Sequence, residues 1–543
     1  MATQAFDYII VGAGSAGSTL AGRLTENPDI SVLLLEAGGR DWDPLIHIPI
    51  GMAKIHQHGL HDWGYVSEPN DSLNGRRLKI TRGKVLGGSS SVNVMAYTRG
   101  HPGDYDRWSR NGATGWSYAE ALPYFKRCEA WEGGDNSHRG GAGPVGTEWR
   151  KTKDPLYDAW LDAAKAVGLP LTDDYNGHQP VGFGRSQYTI RNGRRSSAAN
   201  AFIKPARGRP NLTIHTRAHA ARVLMNRTTA TGVEYFRRGK KLQAIADEEV
   251  ILCGGVFNTP QLLMLSGVGP ASHLAKFGIE CLADLPVGKN LQDHLVVSNS
   301  WTRPTNTSKF REDLRFDRIA ISMVRAYLFG TGPGTVVPGG LHAFLKSSPD
   351  VEVADWEFLF RGTPEDANPW FPGLKKRFED GYGIRAGIVH PKSRGEVLLR
   401  STDPRDPMVL DFRFLSDNDD LVSLREGLKV ARECALQDAM TPYRGVELSP
   451  GPNVQSDADL DDYIRNTVVT IEHPACTCPM GTGPECVLDP KMRVRGIEKL
   501  RVVDGSAMPD LTSAHINSTI LMMAEKASDM ILGRTPLPAQ NVN

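Results

Sequence analysis

Residues 7–24, DYIIVGAGSAGSTLAGRL, decide the fold. The apolar run YIIV at 8–11 reads as a buried parallel strand, and the Ala/Leu-rich pattern after it reads as a helix. Between them stand Gly12, Gly14 and Gly17, which permit a tight turn, close approach of backbone to a pyrophosphate and close helix packing. Ser15 and Ala16 open the helix, so its free N–H groups and positive end face the phosphates. A second apolar run, VLLL at 32–35, ends in Glu36, nineteen residues past Gly17, with Ala37 behind it. An acid there takes the hydroxyls of an adenosine ribose and favours a 2′-OH over a 2′-phosphate. Strand, glycines, helix, strand and acid in that order point to an α/β fold with a Rossmann-like dinucleotide cradle. The alternative is a glycine-rich turn in another α/β sheet.

The cradle alone does not choose between a nicotinamide and a flavin. The next glycine-rich segment, RGKVLGGSSSVNVMAYTRG at 82–100, does so. Small residues from Gly88 to Ser91 let backbone reach van der Waals distance of a flat ligand, Asn93 offers an amide to its edge, and Val94 adjoins it. Without a ligand the segment is a Ser/Gly loop. Further strings follow: GGVFNTPQLLMLSGVGP at 254–270, VGKNLQDH at 287–294, SRGEVLLRSTDPRDP at 393–407, EHPACTCPMG at 472–481, and LRVVDGSAMPDLTSAHINSTILMMAEKASDMI at 500–531. In this order and over nearly the whole chain they resemble the glucose-methanol-choline (GMC) flavoprotein oxidoreductases. The resemblance implies FAD as cofactor and adds Val223, Asp504, Gly505 and Asn517 to the residues expected around it. Some members attach the flavin through a histidine in the Ser/Gly segment. The matching position here is Val92, which has no nucleophilic atom, so FAD is expected to be held noncovalently.

The chain has 543 residues, 40% hydrophobic and 23% charged, enough for large cores in about two domains. With 63 basic and 62 acidic side chains, a net charge of +1 and no long basic run, it has no electrostatic footprint for nucleic acid. The first strand begins by about residue 7, which leaves no room for a secretory signal, and no apolar run reaches the roughly 18 residues that span a bilayer. Peripheral membrane contact and oligomerisation stay open. Seven cysteines, an odd and sparse set, argue against a disulfide scaffold and for a reducing compartment, and the expected location is cytoplasmic. Cys476, Cys478 and Cys486 lie near His473, but C-x-C is not the usual zinc knuckle and no second pair exists, so no metal is expected. EHPACTCPMG is similar instead to the corresponding string of choline dehydrogenases, where the cysteines are not metal ligands.

The segments with βαβ-like patterning are separated by others without it, which predicts a discontinuous architecture. Residues 1–154, 206–295 and 479–535 form the FAD-binding part, with apolar strands at 249–252 and 500–503 and a helix start at 260–266. Residues 155–205 and 296–478 form the substrate part. Alternating runs at 396–399 and 408–412 fit an antiparallel sheet with helices on one face, and the resemblance implies that this sheet roofs the flavin. No fixed-period repeat is present. The Pro/Asn-rich tail, 536–543, is expected to be loose.

Oxidising an alcohol by hydride transfer requires a base for the hydroxyl proton, because an alkoxide donates hydride far better than an alcohol, and histidine titrates in the right range. Pro474 and the small residues after it place His473 in an ordered turn. On local sequence alone a histidine beside proline is more often structural; the resemblance makes His473 the principal acid/base and lets His515 contact the same hydroxyl. His294 and His390 read as structural. His47, His56, His58 and His61 read as a mobile surface loop over the site. The expected reaction is FAD-dependent oxidation of a primary alcohol to an aldehyde. Segments such as HPGDYDRW and IRNGRRSSAANAFI are also similar to pyridoxine 4-oxidases, so the substrate stays open, and choline would need aromatic or acidic groups around its ammonium. Trp356, Phe358, Phe360, Trp370 and Phe371 are candidates for that or for core. The electron acceptor is expected to be a quinone or dye, with O2 as the alternative. The same fold also serves a hydroxynitrile lyase and a light-driven fatty-acid decarboxylase, and both keep FAD.

Overall fold

Strand Gln4–Val11 lies at the centre of the first of two large sheets in the computed structural model, which describes residues 4–304 and 309–542. Val32–Glu36 and Lys240–Leu252 flank it in parallel, Leu212–Thr216 continues the parallel order, and Leu500–Val502 pairs in parallel with the end of Lys240–Leu252. Thr229–Arg237 and Ala218–Asn226 complete the sheet as antiparallel neighbours. Helix Ser15–Leu24 packs against helix Asn517–Ile531 and the wide turn Ala199–Ile203. Glycine is needed at two places in the turn between strand and helix: a Cβ on Gly17 would lie 1.9 Å from the Gly12 carbonyl oxygen, and Gly12 has φ +102° with its Cβ space closed by the Cys253 carbonyl at 2.3 Å. The apolar run at 8–11 proves to be the end of a strand that starts at Gln4, and 249–252 the end of a 13-residue strand. Only the doubly buried ends of these strands read as continuous apolar runs.

The second sheet runs Glu447–Ser449, Leu295–Thr302, Gly381–Ile388, Trp356–Arg361, Leu341–Leu345, Gly182–Arg185, with every adjacent pair antiparallel. Helix Asn418–Leu436 lies across Leu295–Thr302 and Gly381–Ile388, and helix Pro155–Ala166 packs on that helix, so both cover one face. The runs at 396–399 and 408–412 are not in this sheet. Glu396–Leu398 and Val409–Asp411 pair with each other as a separate ribbon beside helix Gly255–Leu265. Alternation marks a strand but carries no information about its partner.

Two other expectations change. The tail has no regular secondary structure but is tied down: the Leu537 N–H donates to the Tyr124 hydroxyl at 3.0 Å, the Gln540 N–H to the Ala119 carbonyl at 2.8 Å, and Leu537 packs on the core. Proline excludes a helix there, not docking. The histidines from His47 to His61 sit on or just after two short helices, Pro44–His47 and Met52–His58, rather than on a loop. His47 is hydrogen-bonded to the Asp41 carbonyl at 2.6 Å and His61 to Asp43 at 2.9 Å.

Candidate active site

One cavity runs from Gly12 and Gly14 past Glu36 and Ala37, along Gly88 and Asn93, and ends at His473 and His515. At its first end, helix Ser15–Leu24 starts from Gly14 with no side chain capping it, so first-turn N–H groups are left for an anion. A Cβ on Gly14 would meet nothing within 4 Å, which means this residue opens onto the cavity. The Ser15 hydroxyl donates to Asn517 Oδ1 at 2.6 Å and fixes the first residue of helix Asn517–Ile531 beside the cradle. Glu36 takes the Ala13 N–H at 3.0 Å and the Gly38 N–H at 2.7 Å. Burial pushes its pKa up to about 7, against the pull of those N–H groups and Lys84. An uncapped helix start, an open glycine and a buried carboxylate at a strand end together fit a pyrophosphate and a ribose.

A ribose hydroxyl donating to Glu36 favours its ionised form, so binding FAD releases a proton from any Glu36 that holds one. The affinity of the apoprotein for FAD therefore rises with pH until about pH 7 is passed and then levels. In Glu36→Gln that rise is absent. Flavin fluorescence titrations from pH 5 to pH 9 check this, and an unchanged rise in the variant would show that another group carries the proton.

The remaining cofactor-side residues divide. Asn93 Oδ1 accepts from the Met95 N–H at 3.1 Å and from Arg195 Nη1 at 2.6 Å, which leaves its Nδ2 amide for a ligand. Val92 and Val94 also line the cavity, and His56, one of the four histidines expected over the site, lines it while donating to the Val92 carbonyl at 2.9 Å. Gly505 lines it too, with Asp504, whose Oδ2 accepts from the Gly255 N–H at 2.8 Å and the Thr259 hydroxyl at 2.6 Å and so ties the start of helix Gly255–Leu265 to the segment after strand Leu500–Val502. Ala16 lines the cradle, whereas Gly17 serves packing. Val223, which the resemblance adds, does not line this cavity. It is buried in the core with its N–H on the Ser266 hydroxyl at 2.9 Å, and Ala218, His219 and Ala220 face the cavity instead. The strand Ala218–Asn226 shifts register after Ala220, and the cavity-facing residues are those before the shift.

At the other end His473 follows strand Val469–Thr470, and its N–H donates to Asp293 Oδ1 at 2.8 Å. Asp293 Oδ2 takes the Thr470 hydroxyl, and burial raises this carboxyl to about 7. His294 stands next, with its Nδ1 3.0 Å from His473 Nδ1. The string NLQDH thus anchors His473 twice, once by backbone and once by ring. Burial holds His473 well below the ordinary histidine range, helped by His515, His294 and Arg82, and takes His294 down to about 3. Both rings are neutral at pH 7, and one hydrogen lies between the two Nδ1 atoms. With that hydrogen on His473, its Nε2 is a bare acceptor. The His473 and His515 rings converge at 4.5 Å between centroids, inclined by 50°.

Sequence reasoning missed what stands behind His515. Glu357 Oε1 accepts from His515 Nε2 at 2.6 Å, and His342 Nε2 lies 3.7 Å from the same oxygen. Glu357 is fully buried, in the strand Trp356–Arg361. Its signal was present, since an acid inside the aromatic run WEFLF is buried charge on a core strand. These three side chains are also the one grouping of metal-ligand type among the described residues, and the hydrogen bond from His515 accounts for the Glu357 position. Trp356, Phe358 and Phe360 belong to the core, and Trp370 and Phe371 lie away from the cavity, whose aromatic lining is Trp63, Tyr65 and Phe257. His390 pairs with Asp104 at 3.2 Å. The N–H groups of Cys476 and Cys478 donate to the Gly505 and Ser506 carbonyls, and burial pushes both thiols up.

The GMC oxidoreductase family model matches residues 6–296 and 391–524. An oxygen-dependent choline dehydrogenase of Brucella suis is 43% identical over 98% of this chain and 97% of its own. The human mitochondrial choline dehydrogenase is 42% identical over 98% and 90%. Among solved structures, the pyridoxine 4-oxidase from Mesorbium loti superposes with a TM-score of 0.86 at 32% identity, covering 98% of this chain and 100% of that one. A formate oxidase superposes at 0.88 with 28% identity, covering 98% and 99%. With its cradle, its paired histidines and these matches along its whole length, the chain belongs to the GMC oxidoreductases and is an FAD-dependent enzyme that oxidises an alcohol.

Proposed function

We propose that the protein oxidises a primary alcohol to its aldehyde with His473 as proton acceptor. The observation that carries this is the meeting of the His473 and His515 imidazoles in a cavity that also takes in a dinucleotide cradle. FAD, when bound, supplies the acceptor for the hydride. His473 Nε2 takes the hydroxyl proton, and the pair with His294 keeps the ring turned so that this nitrogen faces the cavity. His515, held through Nε2 by Glu357, stands against the His473 ring and helps to position the same hydroxyl group. Asp293, by fixing the His473 backbone, sets the distance between the two rings. We infer further that residues 1–154, 206–295 and 479–535 hold the cofactor and that 155–205 and 296–478 cover the substrate. The turn Ala199–Ile203 packs with the cofactor part, against helix Ser15–Leu24.

Because Val92 is aliphatic, acid or heat releases all the flavin from the purified yellow protein; flavin that stays with the denatured chain would refute noncovalent binding. The test of the reaction is anaerobic mixing with alcohols, choline and pyridoxine among them, while the flavin absorbance is followed. Bleaching by a primary alcohol supports the proposal, and the absence of bleaching by any alcohol sinks it. The reduced sample is then mixed with air-saturated buffer. We propose a quinone or dye as acceptor, so reoxidation by air is slower than dye-coupled turnover; reoxidation as fast as turnover with stoichiometric peroxide makes the enzyme an oxidase. A reducing compartment such as the cytoplasm suits the seven unpaired cysteines.

A further inference from the structure

Helix Phe316–Phe329 shows its apolar side to the outside. Its inward face is Ile319, Ser322 and Ala326, two of them small. Outward stand Ile321, Val324 and Leu328, exposed by 64%, 57% and 57%, in a stripe at i, i+3 and i+7, with Phe316 and Phe329 at the helix ends exposed by 62% and 72%. A surface helix of a water-soluble fold has the opposite polarity, with its apolar stripe turned to the core. The patch extends beyond the helix. The Phe316 N–H donates to the Trp370 carbonyl at 2.8 Å, which brings the following loop alongside, and Leu374 at its tip is 86% exposed. Contiguous exposed apolar area of this kind marks a surface that is covered in use.

Charge says by what. Arg325 flanks the stripe, and Lys375 and Lys376 stand exposed beside Leu374. The patch acids Glu312 and Asp317 are already matched, Glu312 by Arg377 and Arg318, and Asp317 by Arg315. The face therefore offers bulky apolar side chains rimmed by cations. A second copy docked symmetrically would set these cations against themselves, whereas an anionic lipid surface satisfies both components. The turn Pro333–Thr335 that follows the helix touches Pro49–Gly51, and the next helix, Met52–His58, carries His56 on the cavity wall. The patch thus adjoins the rim of the active site.

We propose that this face, the stripe of helix Phe316–Phe329 with the loop around Leu374, docks the enzyme on an anionic phospholipid bilayer. Among the described residues no helix is long and apolar enough to cross a membrane, so attachment is peripheral and reversible. The inference concerns where the enzyme works and stands apart from the assignment of His473.

The test is sedimentation of the holoenzyme with vesicles of phosphatidylcholine alone and of phosphatidylcholine with one part in three phosphatidylglycerol. Wild type is expected to sediment with the anionic vesicles and to be released by salt. Joint replacement Ile321→Ser, Val324→Ser and Leu328→Ser lowers the vesicle affinity by roughly tenfold or more and leaves flavin absorbance and dye-coupled turnover in solution unchanged. Lys375→Ala with Lys376→Ala lowers it by about fivefold per lysine at low salt, a readout that does not depend on the serine variant folding. Wild type that stays in the supernatant with both vesicles overturns the proposal. So does a dimer by light scattering that the serine variant dissociates, because a second copy is then the partner.

Discussion

Replacing His473 by Ala slows flavin reduction by an alcohol by about 10²- to 10⁴-fold, the usual worth of a positioned base, while FAD stays bound. FAD stays because the cradle groups Gly12, Gly14 and Glu36 make no contact that depends on the His473 ring. The rate falls because no other acceptor is as well prepared. His294 is behind the ring rather than in the cavity, and His515 Nε2 is engaged by Glu357. The pH profile adds a second readout. His473 is held well below the ordinary histidine range, mainly by burial, so its neutral, proton-accepting form predominates at pH 7 and above. The wild-type rate of reduction is therefore flat from neutral pH upward and declines only toward acid. A rate that climbs through pH 7 to 8, or a variant that reduces its flavin at near the wild-type rate, would place the base elsewhere.

Changing Glu357 has the next largest effect. Glu357→Ala is expected to lower the reduction rate by about 10- to 100-fold, as loss of a carboxylate that orients an imidazole does, and to lose roughly 1–3 kcal/mol of stability because His515 Nε2 is left buried without its acceptor. Glu357→Gln keeps the shape and an acceptor oxygen for His515. It restores most of the melting temperature but not the rate, if the charge of Glu357 acts through His515. Stopped-flow reduction and thermal unfolding of the two variants separate these roles. Equal rates in wild type and both variants would leave Glu357 a packing residue only.

The cradle was legible because its chemistry is local: Gly12, Gly14, Gly17 and Glu36 lie within 25 residues, and their spacing alone implies strand, turn and helix. His473 and His515 were reached through resemblance, since nothing in either neighbourhood states that the rings meet. Glu357 and His342 were not reached at all. They sit on neighbouring strands, Trp356–Arg361 and Leu341–Leu345, and their proximity to His515 exists only after two sheets are packed. The same limit misassigned the strands at 396–399 and 408–412. Periodicity is a property of one segment, whereas pairing and facing are properties of two. The tail was misread for a related reason, because composition reports what a segment cannot form, not what it rests on.

The hydrogen bond from Ser15 to Asn517 joins residues 502 positions apart. At the usual 5–20 residues per second, a ribosome takes about 25–100 s to make that interval. For that time the nascent chain carries an unfinished flavin pocket, with the face of helix Ser15–Leu24 that packs on Asn517–Ile531 left uncovered. A pocket built from both Ser15 and Asn517 therefore closes only once Asn517 has been made and has folded back on the first helix.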